Sequence, residues 1–339
     1  MSVETLTKPT QQPKKTSETI NKTLTFIDLC AGIGGGRLGL EQQGFKCLNF
    51  AEIDSKAILS YQLLHGDKHQ GLGDLHNIDS RIIKDIDLII AGFPCQSYSI
   101  VGQRTGLEDD RGQVIYGITK ILKEKKVPYF ILENVKGLIN INKGKDFQTI
   151  LNLLNESGYK VFYNILNSLD FGVPHSRERV YFVGIRKDLN INNFNFPNGF
   201  KQKYDLSIYL NKSDQIQKSS SQYQTFLKYL KNKYNMNKFN LDELLMQDYL
   251  VLDTRQSDLR LYHGYVPTIR KGRQGILYVY QNELYSLSKN DALRMQGYTP
   301  NYIDKLQSIS KSTILEQVGN AMTINVISAI ANNLKTDIR

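Results

Sequence analysis

Cys95 lies in Gly92-Phe93-Pro94-Cys95-Gln96-Ser97, directly after the apolar run Ile86-Asp87-Leu88-Ile89-Ile90-Ala91. The run reads as a fully buried strand, so the thiol emerges where a parallel sheet releases its chain into a loop. Ligand sites of open α/β sheets gather at such strand ends. Pro94 fixes a backbone dihedral just before the thiol and limits how it is aimed. An unpaired cysteine so placed could be a nucleophile; alone it is more simply a small buried hydrophobe. Glu133, in Glu133-Asn134-Val135, follows a second apolar run, Val127-Pro128-Tyr129-Phe130-Ile131-Leu132. If the two strands are neighbours, thiol and carboxyl face one crevice, which suits nucleophilic and acid catalysis on a ring. A helix cap or surface glutamate is the plainer alternative. Arg177 and Arg179, in Ser176-Arg177-Glu178-Arg179, alternate at a strand's start and share a face. Two cations there could neutralise a carboxylate, hold a phosphate or contact a base.

The elements that must position these groups follow an α/β pattern from Leu24 to about Arg186, where short apolar runs alternate with helical ones. The expected strands are 25–29, 46–51, 86–91 and 127–132, with helices from Gly36, at 55–64, 114–125 and 147–156. Val161 to Leu166 and Val180 to Ile185 read as two adjacent antiparallel strands, because no long helix separates them. Asp28-Leu29-Cys30-Ala31-Gly32-Ile33-Gly34-Gly35-Gly36 joins the first strand to the first helix. Glycines there let a backbone approach a ligand closely, and Glu52 after the second strand could accept hydrogen bonds from ribose hydroxyls. The pair fits a nucleoside-containing cofactor, and serves dehydrogenases and adenosylmethionine-dependent methyltransferases equally.

After Arg186 the texture changes to Asn, Lys, Tyr and Gln with irregular periodicity, and short helices are expected near 221–232 and 241–247. Net charge is +10, and residues 187–312 contribute +7 of it, which favours a polyanionic partner for that segment. Three cysteines without framework spacing point to a reducing compartment. No stretch reads as a membrane span, and no metal site is expected: His65 and His69 are four apart with nothing to complete a ligand set. Residues 1–22 have few apolar residues and read as a disordered extension. Asn320 to Leu334 reads as one helix, with Ala321, Ile324, Ile327, Ile330 and Ala331 on a shared face that must pack on something.

With these segments in order, the chain resembles the DNA (cytosine-5)-methyltransferases from about Leu24 to its C-terminus. The motifs that carry the resemblance are Phe26 through Gly35, Gly92 through Ser99 with Asp110-Arg111-Gly112, and Glu133-Asn134-Val135. Arg177-Glu178-Arg179-Val180-Tyr181, Arg294-Met295-Gln296-Gly297-Tyr298 and Gly319-Asn320-Ala321 complete the set. The resemblance implies a Rossmann-like S-adenosylmethionine-dependent methyltransferase sheet (23–186), a smaller and less regular DNA target-recognition domain (187–312), and a C-terminal helix (313–339) returning to the first domain. It implies that Cys95 attacks carbon 6 of a cytosine flipped out of double-stranded DNA, so that carbon 5 takes the methyl group of S-adenosyl-L-methionine. Glu133 would hold the ring's N3 edge, in a closed dry pocket that favours its protonated form. Arg179 would contact the cytosine oxygen, and Arg177 would order the site.

For the cofactor, the resemblance implies Asp28, Cys30, Gly32, Gly34, Gly35, Glu52, Ile53, Asp74, Pro94 and Asn320. For DNA it implies Ser99 and Arg111 near the flipped nucleotide, and Thr268, Arg270, Lys271 and Arg273 toward phosphates or bases. Cys30 stands where many members carry phenylalanine, and His175 where a glutamine commonly precedes the two arginines. The implied setting is a cytoplasmic, monomeric modification enzyme of a restriction-modification system. The tRNA-methylating branch of the family is the nearest rival; a nicotinamide dehydrogenase leaves Cys95, Glu133 and Arg179 without a joint role.

Overall fold

The computed structural model describes residues 23–66, 71–94 and 114–338. Its first half runs β1 (Thr25–Leu29), α1 (Gly35–Glu41), β2 (Lys46–Ala51), α2 (Ser55–His65), β3 (Leu88–Gly92), α3 (Val114–Lys125), β4 (Tyr129–Val135), α4 (Lys145–Glu156), β5 (Tyr159–Asn167), β6 (His175–Ser176) and β7 (Glu178–Arg186). Among the described residues these strands form a sheet in the order β2-β1-β3-β4-β7-β5. Strands β1 to β4 are parallel, whereas β7 runs antiparallel to both β4 and β5. The adjacent antiparallel pair expected near 161–185 is therefore present.

Alternation within the continuous apolar runs explains why both sheet faces are covered. Ile27, Leu29, Ile89, Ala91, Phe130 and Leu132 pack with Ile118, Leu122 and Ile150 of α3 and α4. Phe26, Leu88, Ile90 and Ile131 pack on the other side with Val326, Ile327 and Ile330 near the C-terminus. Each such fully buried aliphatic side chain contributes about 1.5–3 kcal/mol. The strand order reverses at β1 and β3, so the loops leaving those two strands open a crevice at their carboxyl ends. Strand β4 continues to Val135, past the boundary read from apolarity, because Glu133, Asn134 and Val135 stay in register with Tyr181, Val180 and Arg179. Glu133 is thus held inside a strand rather than on the loop after it.

The second half runs α5 (Ser221–Leu230), α6 (Leu241–Leu245), β8 (Val251–Asp253), β9 (Arg260–Tyr262), β10 (Val266–Pro267), β11 (Ile276–Tyr280), β12 (Glu283–Ser286), α7 (Lys289–Arg294), α8 (Pro300–Lys305), α9 (Lys311–Asn320) and α10 (Ile324–Asp337). An antiparallel sheet β12-β11-β8-β9 packs Leu252, Leu277 and Val279 against Phe226 and Leu230 of α5. Strand β10 leaves that sheet and pairs in parallel with β6, joining the two halves.

The C-terminal helix expected from Asn320 is broken: α9 ends at Asn320 and α10 starts at Ile324, with Ala321 and Thr323 extended between them. The break persists because side chains capture its backbone. Arg177 donates to the Gly319 and Ala321 carbonyls, and Gln296 donates to those of Val318 and Ala321. Lys311–Asp337 together reach the length and hydropathy of a membrane span, which the sequence reading did not anticipate. That apolarity serves the core, since Ile324, Val326, Ile327, Ile330, Ala331 and Leu334 are all buried against the sheet and α1.

Helix α1 admits α10 this closely because it has no side chain at Gly39. A Cβ there would lie 2.6 Å from Cβ of Ile327 and 2.8 Å from the Ile324 carbonyl oxygen. Gly39→Ala should therefore destabilise the protein by about 1–3 kcal/mol, read as a lower denaturation midpoint with unchanged slope. A midpoint equal to wild type would contradict this packing.

Candidate active site

Gly92 and Glu133 are register partners at the carboxyl ends of β3 and β4. A Cβ on Gly92 would sit 3.7 Å from Oε2 of Glu133, so the carboxylate faces the start of the loop that continues through Phe93 and Pro94 toward Cys95. Cys95 itself, with Ser99 and Arg111, lies outside the described residues. The last described turn of that loop is anchored: the buried Asn134 amide donates to the Phe93 carbonyl at 3.0 Å. Pro94 follows, half-buried.

Three strands converge on Glu133, which is 6% exposed. Arg179 Nε lies 3.1 Å from its Oε1, and Arg177 Nη2 lies 4.0 Å from the same oxygen. Among the described residues no aligned hydrogen bond reaches Oε1. Arg177 is fully buried; burial and the neighbouring Arg179 pull its guanidinium down to about 9, with Glu133 opposing, so it stays cationic at neutral pH. The two arginines divide the work. Arg179 is the one close to the carboxylate, while Arg177 grips the backbone on either side of Asn320.

The turn after β1 is braced by Glu52. Its Oε2 accepts the Gly32 amide at 2.8 Å, and its Oε1 accepts those of Ile53 and Asp54 at 2.8 and 3.0 Å. A carboxylate offers about four acceptor positions, so Oε2 retains one for a ribose hydroxyl. The three glycines named from sequence differ in role. Gly32, at φ +55, meets nothing within 4 Å and borders open space, whereas a Cβ on Gly34 would strike His65 and Tyr61, and one on Gly35 the Met322 carbonyl. Ile53 is 74% exposed beside this turn, an apolar surface suited to a base. Asp74 closes its own turn, accepting from the His76 amide and from Asn77 Nδ2. Asp28 is buried; burial pushes its carboxyl well up, with Arg37 opposing.

Cys30, at φ +52 in the same turn, has its thiol pushed up to about 12 by burial and by the carboxylates of Glu52, Asp28 and Asp74. Burial raises the Cys47 thiol to about 12 as well. Neither is a thiolate near neutral pH, and neither suits nucleophilic attack.

In the second half of the chain, the residues named from sequence separate. Arg270, Lys271 and Arg273 are exposed on the turn after β10, which borders a cleft of about 490 Å³ also lined by Gln222 of α5. Thr268 instead donates its hydroxyl proton to the Ser176 carbonyl at 2.6 Å, joining the two halves of the molecule. Asn320 is exposed at the end of α9. Its neighbour Gly319 touches that same turn: a Cβ there would lie 2.3 Å from the Lys271 amide nitrogen. Sequence reading missed the roles of Asn134, Gln296, Thr323 and Ser168. Thr323 donates to Gln296 Oε1 at 2.6 Å and lies 2.7 Å from the Ser168 hydroxyl, all of them buried. Two of these amides stood within quoted motifs, but only the fold shows which carbonyls they reach.

A family model for C-5 cytosine-specific DNA methylases matches residues 24–336. The chain belongs to that family. Type II methyltransferase M.HhaI of Haemophilus parahaemolyticus is 32% identical over 328 residues, covering 93% of this chain and 95% of the relative. Type II methyltransferase M.BsuFI of Bacillus subtilis is 42% identical over 198 residues, 55% of this chain and 48% of that protein. A solved Entamoeba histolytica methyltransferase, EhMeth, shares the fold at a TM-score of 0.68 and 19% identity, covering 94% of this chain and 99% of that one. The family's methyl donor is S-adenosylmethionine and its substrate is cytosine in DNA. The open Gly32 face, the spare acceptor on Glu52 and the exposed Ile53 fit such a donor.

The raised thiols give a direct check. In Cys95→Ser, Cys30 and Cys47 should resist iodoacetamide at pH 8 in the native state and react fully after denaturation, because their thiolate fraction grows only as pH approaches 12. Native labelling at the denatured rate would contradict the burial described here.

Proposed function

We propose that this methyltransferase transfers a methyl group to carbon 5 of a flipped-out cytosine within a specific duplex DNA sequence, through a covalent adduct to Cys95. The observation that carries this reading is Glu133, buried and held by Arg179 in register with Gly92, three residues before that cysteine. S-adenosyl-L-methionine, when bound, supplies an electrophilic methyl group beside the glycine turn. Gly32, Glu52 and Ile53 would hold it, with Cys30, Gly34, Gly35, Asp28, Asp74, Pro94 and Asn320 shaping the surrounding walls.

The chain's own residues then do the rest. Cys95 as thiolate adds to carbon 6, and the electron pair moves toward carbon 5, which would take the methyl group as its bond to the donor's sulfonium sulfur breaks and a neutral thioether departs. Glu133 in its protonated form donates to ring N3, drawing electrons from the ring as the thiolate attacks, and recovers that proton when the adduct collapses. Arg179 orients Glu133 and meets the cytosine oxygen, while Arg177 holds both against the α9–α10 junction. Loss of the carbon 5 proton to a base and expulsion of the Cys95 sulfur restore the aromatic ring and the enzyme. A base inside a duplex is out of reach, so flipping precedes these steps; Ser99 and Arg111 would support the extruded nucleotide.

Residues 187–312 would act as the target-recognition domain, 23–186 as the cofactor domain, and 313–339, with the end of α9 and all of α10, as the segment returning to it. Arg270, Lys271 and Arg273 approach DNA from the exposed turn. The similarity to type II methyltransferases supports a modification role in a restriction-modification system, in a monomeric cytoplasmic enzyme.

Expression in a host without cytosine methylation, followed by bisulfite mapping, should reveal 5-methylcytosine in one sequence context. Cys95→Ser should abolish it while retaining DNA binding, and Glu133→Gln should cut turnover at least about a hundredfold. Methyl transfer to tRNA but not to DNA, or turnover by Cys95→Ser, would overturn the proposal.

A further inference from the structure

Four consecutive residues after β9 direct their polar groups onto the segment that leads into the arginine pair. The Val266 amide donates to the Pro174 carbonyl at 2.7 Å, and Val266 and Pro267 pair with His175 and Ser176. The Thr268 hydroxyl donates to the Ser176 carbonyl at 2.6 Å, and the Ile269 amide donates to His175 Nε2 at 3.0 Å. One residue later the chain becomes the exposed turn Arg270-Lys271-Gly272-Arg273, and two residues beyond His175 stands Arg177, 4.0 Å from Glu133. A single hydrogen-bonded seam therefore links the exposed turn to the segment that carries Arg177 beside Glu133.

We propose that His175 is a positioning residue for sequence fidelity: its Nε2 lone pair fixes the end of β10, so that only DNA matched by the following turn seats a cytosine against Glu133. The proposal rests on the methyl-transfer function given above. His175 is wholly buried, and the Ile269 amide is buried with it, so no water can replace the acceptor. Accepting at Nε2 requires the neutral ring with its proton on Nδ1. Burial, with Arg177 and Arg179 nearby, keeps the imidazole neutral by holding it well below its ordinary range. A protonated ring would present a second donor to the Ile269 amide and break the seam.

Fidelity is a difference between matched and mismatched DNA, and it depends on the turn being unable to shift. Thr268 makes the parallel bond one residue earlier, so weakening either should act in the same direction. A glutamine amide oxygen can accept where Nε2 does, whereas leucine fills the volume and accepts nothing.

The test compares wild type, His175→Gln, His175→Leu and Thr268→Val. Each is assayed for kcat/KM on duplexes carrying the mapped site and single-base variants of it, with Tm measured alongside. For His175→Leu the ratio of mismatched to matched kcat/KM should rise roughly tenfold, with Thr268→Val moving the same way. His175→Gln should stay within about twofold of wild type. If His175→Leu fails to fold, Thr268→Val and His175→Gln decide. A lowered Tm with unchanged ratios, or a glutamine variant as unfaithful as leucine, would overturn the inference. Absence of cytosine methylation by wild type would instead overturn the reaction on which it rests.

Discussion

A buried guanidinium holds this molecule's two halves to one another. Arg177 has no access to water, and its charge is balanced by Glu133 and by the carbonyls of Gly319 and Ala321. Taking a charge out of water costs several kcal/mol, so the arrangement is tolerated only where partners surround it. Those partners come from β4 and from the α9–α10 junction, and the Ile269 carbonyl just after β10 lies 3.5 Å away. Gln296, Thr323 and Ser168 complete the same network from behind. The break in the C-terminal helix thereby lies against Arg177 and Gln296, with Gly319 close to the exposed turn after β10, while Arg179 is the cation nearest Glu133.

The glycine turn shows the same economy at the other end of the crevice. Glu52 spans three amides and so shapes the turn before any ligand arrives. Gly34 and Gly35 are glycines because Tyr61, His65 and Met322 fill the space that side chains would need, whereas Gly32 borders open space. A motif that looks like a single cradle thus combines packing and binding.

Much of this was legible in the sequence. The apolar runs located the parallel strands, and the pairing of β3 with β4 meets the condition under which Glu133 and the loop toward Cys95 share a crevice. The alternation of Arg177 and Arg179 put both beside the same carboxylate. What could not be read were contacts made across long separations. Thr268, named as a DNA contact, donates its proton to Ser176, which is 92 positions away. The helix break at Ala321 was invisible because its cause, Arg177 and Gln296 capturing carbonyls, lies in other elements. Local apolarity ended β4 at Leu132, while pairing with β7 carries it three residues further, to Val135.

The central claim is that Cys95 bonds to carbon 6 of a cytosine placed against Glu133. Duplex DNA carrying 5-fluorocytosine at the mapped site tests it most directly, because the carbon 5 proton needed to release the sulfur is absent. With S-adenosylmethionine present, the account predicts a denaturation-resistant protein–DNA adduct that maps to Cys95 by peptide mass spectrometry and is missing in Cys95→Ser. No adduct, or one on Cys30 or Cys47, would contradict it.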